Sequence, residues 1–561
     1  MRKLPRFCCF LFLLFSFTTN SVAHTAQPNA AIASAHPLAT AVGKAILAQG
    51  GNAFDAAVAV AAALAVVEPY SSGLGGGGFF LLHRARDNKQ TMIDARERAP
   101  SRATPDMFRN ASDQSNPRTS LDGPLAAGIP GTPAGLVHLA KHYGRLPLRQ
   151  SLAPAIHLAQ QGFPADARYR ALAQSYLNLL RQHPATAAQF LHQQAVPEAD
   201  ALVVQENLAK TLQLLARRGA AGFYRGPIAQ EMVKTVNAAG GIWRKADLAR
   251  YRIVERKPVV FHYREMRIVS AAPPSAGGLT LGEALHILER YDLDQLRPAM
   301  RMHLVAEALR RAYHDRARYM GDPDFLRIPQ KRLLSEEYAA TRAASIDLNN
   351  ATPSAQFEPV AEVRQGTQTT HFSIVDQQGN RVAATLSINT FFGSGFVAGK
   401  TGVLLNNEMD DFAIAEKGMN TYNLVHSGPN RIAPGKRPLS SMSPTFVEDA
   451  RGTLILGAPG GSRIPSMVLL AILNYRAQTE VDIHKLVSAP RYHHQYLPDR
   501  LEVEPESFSN AVLDDLQLIG HVIRVNERKW GNMQAVWINR VNGKAEAASD
   551  PRGMGSGQAW H

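Results

Sequence analysis

The sequence predicts a layered fold of the α/β or α+β class, with helices laid against the faces of a largely antiparallel sheet. Two observations carry this. From Leu136 to about Leu348 the pattern is mostly helical, with apolar residues at three- and four-residue spacing in Leu208 to Leu215 and Met302 to Tyr319. After residue 369 the period changes to two, the mark of strands with one face buried. Composition agrees, because 45% apolar and 19% charged residues are those of an ordinary folded protein with a large core. A chain of 561 residues could hold roughly three or four average domains, although α/β layers absorb such lengths in one or two.

The elements follow in order. Residues 1–23 stand apart: Arg2, Lys3 and Arg6 form a basic region, Phe7 to Phe17 an almost wholly apolar run, and Ser21-Val22-Ala23 a small-residue cleavage site. This reads as a secretory signal peptide. The apolar run is shorter than the ~20 residues a spanning helix needs, so no stable membrane span is expected once it is removed. Export points to the periplasm, with the extracellular space as the alternative. Cys8 and Cys9 are the only cysteines and both lie in this segment. The mature chain would then have none, which excludes disulfides, zinc–thiolate sites and cysteine nucleophiles together. Removing Arg2, Lys3 and Arg6 lowers the net charge from +14 to +11, and the remaining basic residues are dispersed. Nucleic-acid binding is therefore not expected, since it concentrates Lys and Arg on a stripe.

Two helices come next, Leu38 to Gln49, ended by Gly50-Gly51, and Asp55 to Val67, with Asn52 or Asp55 as cap. The second is Ala/Val-rich on every side, as in a helix buried within a layered core. Ser72 to Gly78 contains a formal G-x-G-x-x-G, but a helix precedes it and the strand-like Phe79 to Leu82 follows, the reverse of a dinucleotide site. It is better understood as a place where backbones approach closely. Val259 to Ala271 interrupts the helical stretch with strand character, and residues 350–366 read as a mobile surface connector. Beyond it, His371 to Asp376 and Arg381 to Ile388 alternate around Gln377-Gln378-Gly379, a three-residue hairpin loop. Pairing Asp376 with Asn380 places Thr369 opposite Ser387 on one side of the ladder. Thr445 to Val447 and Thr453 to Leu456 continue the antiparallel pattern.

Several chemistries lack support: there is no H-E-x-x-H, no G-x-S-x-G and no G-x-x-x-x-G-K-[ST]. His493-His494 is the best metal-like feature, but adjacent strand residues point to opposite faces and no carboxylate cluster accompanies them, so neither metal nor cofactor is expected. What remains is a dense set of small polar residues between 369 and 463, each of which singly suits a strand or a turn.

Taken together, Thr369-Thr370-His371-Phe372-Ser373, Asn389, Leu405-Asn406-Asn407-Glu408-Met409-Asp410-Asp411-Phe412, Arg437 to Pro444 and Pro459-Gly460-Gly461-Ser462-Arg463 resemble the γ-glutamyltransferase family in order and spacing. The likeness extends through Asp94 to Glu97, Gly131-Thr132-Pro133, Tyr313 to Phe325 and Ala489-Pro490-Arg491. The resemblance implies an N-terminal nucleophile hydrolase whose precursor cuts itself between Gln368 and Thr369. A large subunit, 24–368, and a small subunit, 369–561, would share one four-layer αββα sandwich as a heterodimer. Thr369 would be nucleophile and, through its freed α-amine, base, an amine whose reference pKa is about 7.7 to 8.0. Arg96 with Ser440 and Ser441 would hold the substrate's α-carboxylate, and Asn389, Glu408 and Asp411 its α-ammonium. The Gly460 and Gly461 N–H groups would take the oxyanion. Substrates implied are glutathione and other γ-glutamyl compounds, with water or an acceptor amino acid resolving the acyl-enzyme.

Two departures stand out. Many relatives have a second Thr where this chain has Ser387, which keeps the hydroxyl but loses the methyl that stiffens χ1. Glu408 replaces a Gln found in some bacterial relatives and adds negative charge beside the ammonium. Glu416 to Ser427, including Tyr422, match a lid loop, so a covered glutamyl pocket is expected. The rival readings are an acylase of the same superfamily acting on glutaryl or related groups, and an exported binding protein that holds γ-glutamyl peptides without cleaving them.

Overall fold

In chain order the strands of the two large sheets are β1 (Ala30–Ser34), β2 (Gly77–Arg84), β3 (Lys89–Asp94), β4 (Val254–Arg256), β5 (Val259–Tyr263) and β6 (Met266–Ser270). They continue with β7 (Thr370–Val375), β8 (Arg381–Ser387), β9 (Thr445–Glu448), β10 (Gly452–Gly457), β11 (Gln534–Asn539), β12 (Ala545–Ser549) and β13 (Ser556–Trp560). The helices that matter here are α1 (Pro37–Ala48), α2 (Ala53–Val67), α3 (Gly277–Leu288), α4 (Pro298–Tyr319) and α5 (Ile464–Ala477). This computed structural model describes residues 29–108, 119–357, 368–413 and 428–560. The expected signal peptide and the lid segment with Tyr422 lie outside the described residues.

Seven strands form one sheet in the order β13-β1-β7-β8-β2-β3-β4, and six form another in the order β12-β11-β10-β9-β6-β5. Side-chain alternation in the first sheet divides its residues between two cores. Ala31, Phe79, Leu81, Val375 and Ala383 face the second sheet and share a core with Ile455, Val536 and the helices α3, α4 and α5. Ile32, Phe80, Leu82, Phe372, Ile374 and Leu386 face the other way, against α1 and α2. The result is helix, sheet, sheet, helix: the four-layer αββα arrangement that was expected.

Local sequence explains the elements that position the site. Asn52 caps α2 by accepting from Phe54 N and Asp55 N, while Asp55 bonds back to Asn52 N, so both candidate residues take part in one capping box. All fifteen residues of α2 are buried. The glycine-rich stretch does bring backbones together: a Cβ on Gly75 would lie 1.9 Å from Leu404 O, and one on Gly76 2.0 Å from Ser387 O. The β7–β8 hairpin has the expected register, Val375 against Arg381 and Thr370 against Leu386, with Gly379 left-handed at φ 84°.

One expectation changes. The first part of the 350–366 connector is fastened to the body: Ser354 is buried, its Oγ donates to Tyr496 O at 2.7 Å, and its N–H donates to Asp499 at 2.7 Å. Its polar composition satisfies partners some 140 residues away, which no local pattern announces. Residues 358–366 lie outside the described residues.

Candidate active site

The predicted residues meet at one end of the sandwich, where β7 begins and β8 ends. Arg96, Gln368, Thr369, Ser387, Asn389, Glu408, Asp411, Ser440, Ser441 and Gly461 line one narrow cleft together with Met442 and Ile464. Gly460 precedes the lining Gly461 in the same turn. Tyr422 lies outside the described residues.

At the centre is the Gln368–Thr369 bond. Gln368 N donates to Asn389 O at 3.0 Å, and Ser387 Oγ donates to Gln368 O at 2.8 Å. Ser387 Oγ in turn accepts from Asn389 N at 2.6 Å, which orients its proton toward the Gln368 carbonyl. This peptide bond is thus gripped on both sides and its carbonyl polarised. Thr369 is 6% exposed, and its Oγ1 has no hydrogen-bond partner. A hydroxyl left unpaired in such a cleft is costly in stability, and it is free to react. Below it, His371 is fully buried between Thr385 Oγ1 at 2.8 Å and Ser373 Oγ at 3.2 Å. Burial holds that imidazole down to about 3, so it stays neutral.

The far wall is ionic. Arg96, on the turn after β3, has no exposed surface; its guanidinium pairs with Glu408 at 2.8 Å, contacts Asp411, and lies 3.5 Å from Glu97. Its Nε also donates to Pro438 O at 3.2 Å, and Tyr251 Oη donates to its carbonyl at 2.7 Å. Here the structure adds something the residue pattern did not show: the cation expected for one end of a ligand and the anions expected for the other are paired with each other. Three carboxyl groups crowd one guanidinium, more than it can neutralise, which favours their protonated forms. Burial first, and then its carboxylate neighbours, push Glu408 well above the ordinary carboxylate range against the pull of Arg96; burial raises Glu97 to about 7. The Glu408 carboxyl is thus held between the Arg96 guanidinium and the Asp411 carboxyl.

Ser440 and Ser441 are buried at 2% and 4% exposure, and backbone bonds from Ser440 N to Pro274 O and Ala276 N to Ser440 O fix the turn that presents them. Gly460 and Gly461 both have positive φ, 136° and 58°, in the turn that leads into α5. A Cβ on Gly460 would lie 2.7 Å from Met467 Cε. Glycine adopts these positive φ angles without the penalty a Cβ would bring.

Sequence reading missed several supports. Asn406 Oδ1 accepts from Gly128 N and Glu408 N, both at 2.9 Å, and its Nδ2 donates to Gly75 O at 2.6 Å, so this side chain sets the Glu408 turn. In the sequence the Asn406-Asn407 pair suits a turn and belongs to the family pattern, with no role of its own. His493 and His494 face separate partners, Ser466 with Gln495 and Asp499, and do not form a ligand pair. Among the described residues one group has metal-ligand spacing, His303, Glu307 and His521, but the Glu307 carboxylate is already engaged by Arg310 and Arg311.

A family model described as gamma-glutamyltranspeptidase matches residues 39–560. The chain is similar to the glutathione hydrolase proenzyme of Escherichia coli (strain K12), 42% identical over 530 residues that cover 93% of this chain and 90% of that protein. Among solved structures it is similar to the cephalosporin acylase from Bacillus halodurans, with TM-score 0.84 and 27% identity over 98% of this chain and 100% of that one. It is also similar to Helicobacter pylori gamma-glutamyltranspeptidase, with TM-score 0.56 and 41% identity over 58% of this chain and 94% of that one.

Proposed function

The chain belongs to the γ-glutamyltranspeptidase family, and on that premise we propose that it cleaves the γ-glutamyl amide bond of glutathione and related compounds through an acyl-enzyme on Thr369. The observation that carries this is the cleft itself, with an unpaired nucleophile at one end and a guanidinium among carboxylates at the other. The first reaction is on the chain's own backbone. Thr369 Oγ1 attacks the Gln368 carbonyl that Ser387 polarises; the C–N bond breaks, the nitrogen takes the hydroxyl proton, and water hydrolyses the ester to leave Gln368 as a carboxylate. That frees the Thr369 α-amine to act as base in later turnovers.

Substrate then exchanges for the internal ion pairs. Its α-carboxylate takes Arg96 with Ser440 and Ser441, and its α-ammonium takes Asn389, Glu408 and Asp411, which restores charge balance on both sides. Thr369 Oγ1 attacks the γ-carbonyl as its α-amine takes the hydroxyl proton, the Gly460 and Gly461 N–H groups hold the oxyanion, the amide C–N bond breaks with that proton passing to the departing amine, and water or an amino acid then takes the glutamyl group from the ester. The two fragments stay together as a heterodimer. Residues 1–23 support an exported, periplasmic location, which cell fractionation checks.

The acylase reading has a specific observation to meet. A glutaryl group lacks the ammonium, so it would leave Glu408 and Asp411 without a cation of their own. N-terminal sequencing of the mature protein is expected to find a fragment beginning Thr369-Thr370-His371 and to accompany faster turnover of γ-glutamyl-p-nitroanilide than of its glutaryl analogue. An uncut chain with full activity, or faster glutaryl turnover, overturns the proposal.

A further inference from the structure

The Gly460-Gly461 turn has two glycines with little conformational preference of their own, yet the residue that follows them is pinned at two points. The Tyr313 hydroxyl, from α4, donates to the Ser462 carbonyl. On the other side Ser462 Oγ donates to Gln495 Oε1 at 2.6 Å. Gln495 is itself held, because its Nε2 donates to Leu497 O at 2.9 Å and its Oε1 also lies 2.9 Å from His493 Nε2. An amide oxygen only accepts, so the His493 proton sits on Nε2, and Nδ1 accepts from Ser466 Oγ at 2.7 Å. The Tyr313 ring meets the His493 ring edge-on, with centroids 5.7 Å apart, which locks the phenol in place. The Tyr313 hydroxyl also meets the Ser466 side chain, and both aromatic residues are buried.

We infer that Tyr313 is a positioning residue for the oxyanion-binding turn, fixing Ser462 from the large fragment so that the Gly460 and Gly461 N–H groups keep their aim after the chain is cut. This rests on the oxyanion role proposed above for that turn. The clamp crosses the cut: α4 precedes residue 369, whereas Ser462, Ser466, His493 and Gln495 follow it. In the uncut chain the scissile carbonyl is bonded by Ser387, so self-cleavage has a polarising group of its own.

The test is Tyr313→Phe, which keeps the ring against His493 and removes only the hydroxyl. With γ-glutamyl-p-nitroanilide, kcat is expected to fall about tenfold, the scale of one hydrogen bond felt in the transition state, while KM stays within about twofold. Affinity for a glutamate-like boronic acid, whose tetrahedral adduct on Thr369 presents an oxygen to the turn, should fall by a similar factor. Affinity for free L-glutamate should not change, and self-cleavage should go to completion. Gln495→Leu, which releases the turn from its other side, should reproduce the pattern. If Tyr313→Phe leaves kcat and boronate affinity unchanged while Gly461→Ala lowers both, the positioning role is refuted and the oxyanion role stands. If Gly461→Ala also changes neither, the oxyanion assignment itself is overturned. A parallel loss of kcat and L-glutamate affinity would reduce Tyr313 to a structural contact.

Discussion

Arg96 illustrates how a single side chain can be prepared for a ligand by its neighbours. Its guanidinium is desolvated and already charge-paired, so a zwitterionic substrate replaces ion pairs of the same kind and does not strip water from an exposed cation. Arg96→Ala should raise KM by roughly a hundredfold, the scale of losing one partner of a buried charge pair, and leave self-cleavage intact; steady-state kinetics beside a gel of the processed chains would check both. Arg96→Lys should fall between, keeping charge but losing the planar fork. Glu97 gives a pH test. Burial raises its folded pKa to about 7 from 4.5, so the folded state holds a proton that the unfolded state has released. Its stabilising contribution is complete below pH 4.5 and lost as pH rises through about 7. Glu97→Gln should therefore flatten the decline in Tm between pH 5 and pH 8; an unchanged slope would argue against a protonated Glu97.

At the scale of elements, the β7–β8 hairpin does the most to create the site. Its register follows from a period of two and a pinned turn, so the juxtaposition of Thr369 with Ser387 was legible before any coordinates. Gly379→Ala should cost on the order of 1 kcal/mol, because φ of 84° suits no Cβ, and lower the denaturant midpoint without moving the cut site. Other elements were less legible, for physical reasons. Asn52 and Asp55 were both good caps, and the capping box uses both. Ser354 is anchored by Tyr496 and Asp499, partners remote in sequence. The pairing of Arg96 with Glu408 and Asp411 depends on three loops converging, and the Tyr313 contact on a helix crossing to a turn about 150 residues away; periodicity carries no record of either.

At the scale of the molecule, the proposed cut before Thr369 would divide the chain but neither sheet. In the seven-stranded sheet β7 lies between β1 and β8, so a strand from after the cut is bonded on one side to a strand from before it; in the six-stranded sheet β9 pairs with β6 across the same divide. Separating the fragments would open two sheets and the core between them. The processed fragments should therefore co-elute as one particle in size-exclusion chromatography and part only in denaturant, where two bands replace it. Fragments that elute separately under native conditions would contradict this interleaving.

The same interleaving makes self-cleavage a one-way step in the life of the fold. Before the cut, β1 finds β7 as two parts of one tether, and assembly is first order in a single chain. After it, the same contacts persist but the tether is gone, so a molecule that unfolds must find its other half by diffusion while both halves expose unpaired strands. The mature protein thus keeps a structure that only its precursor could reach easily. Its durability is governed by how slowly it opens, with little help from how readily it could close again.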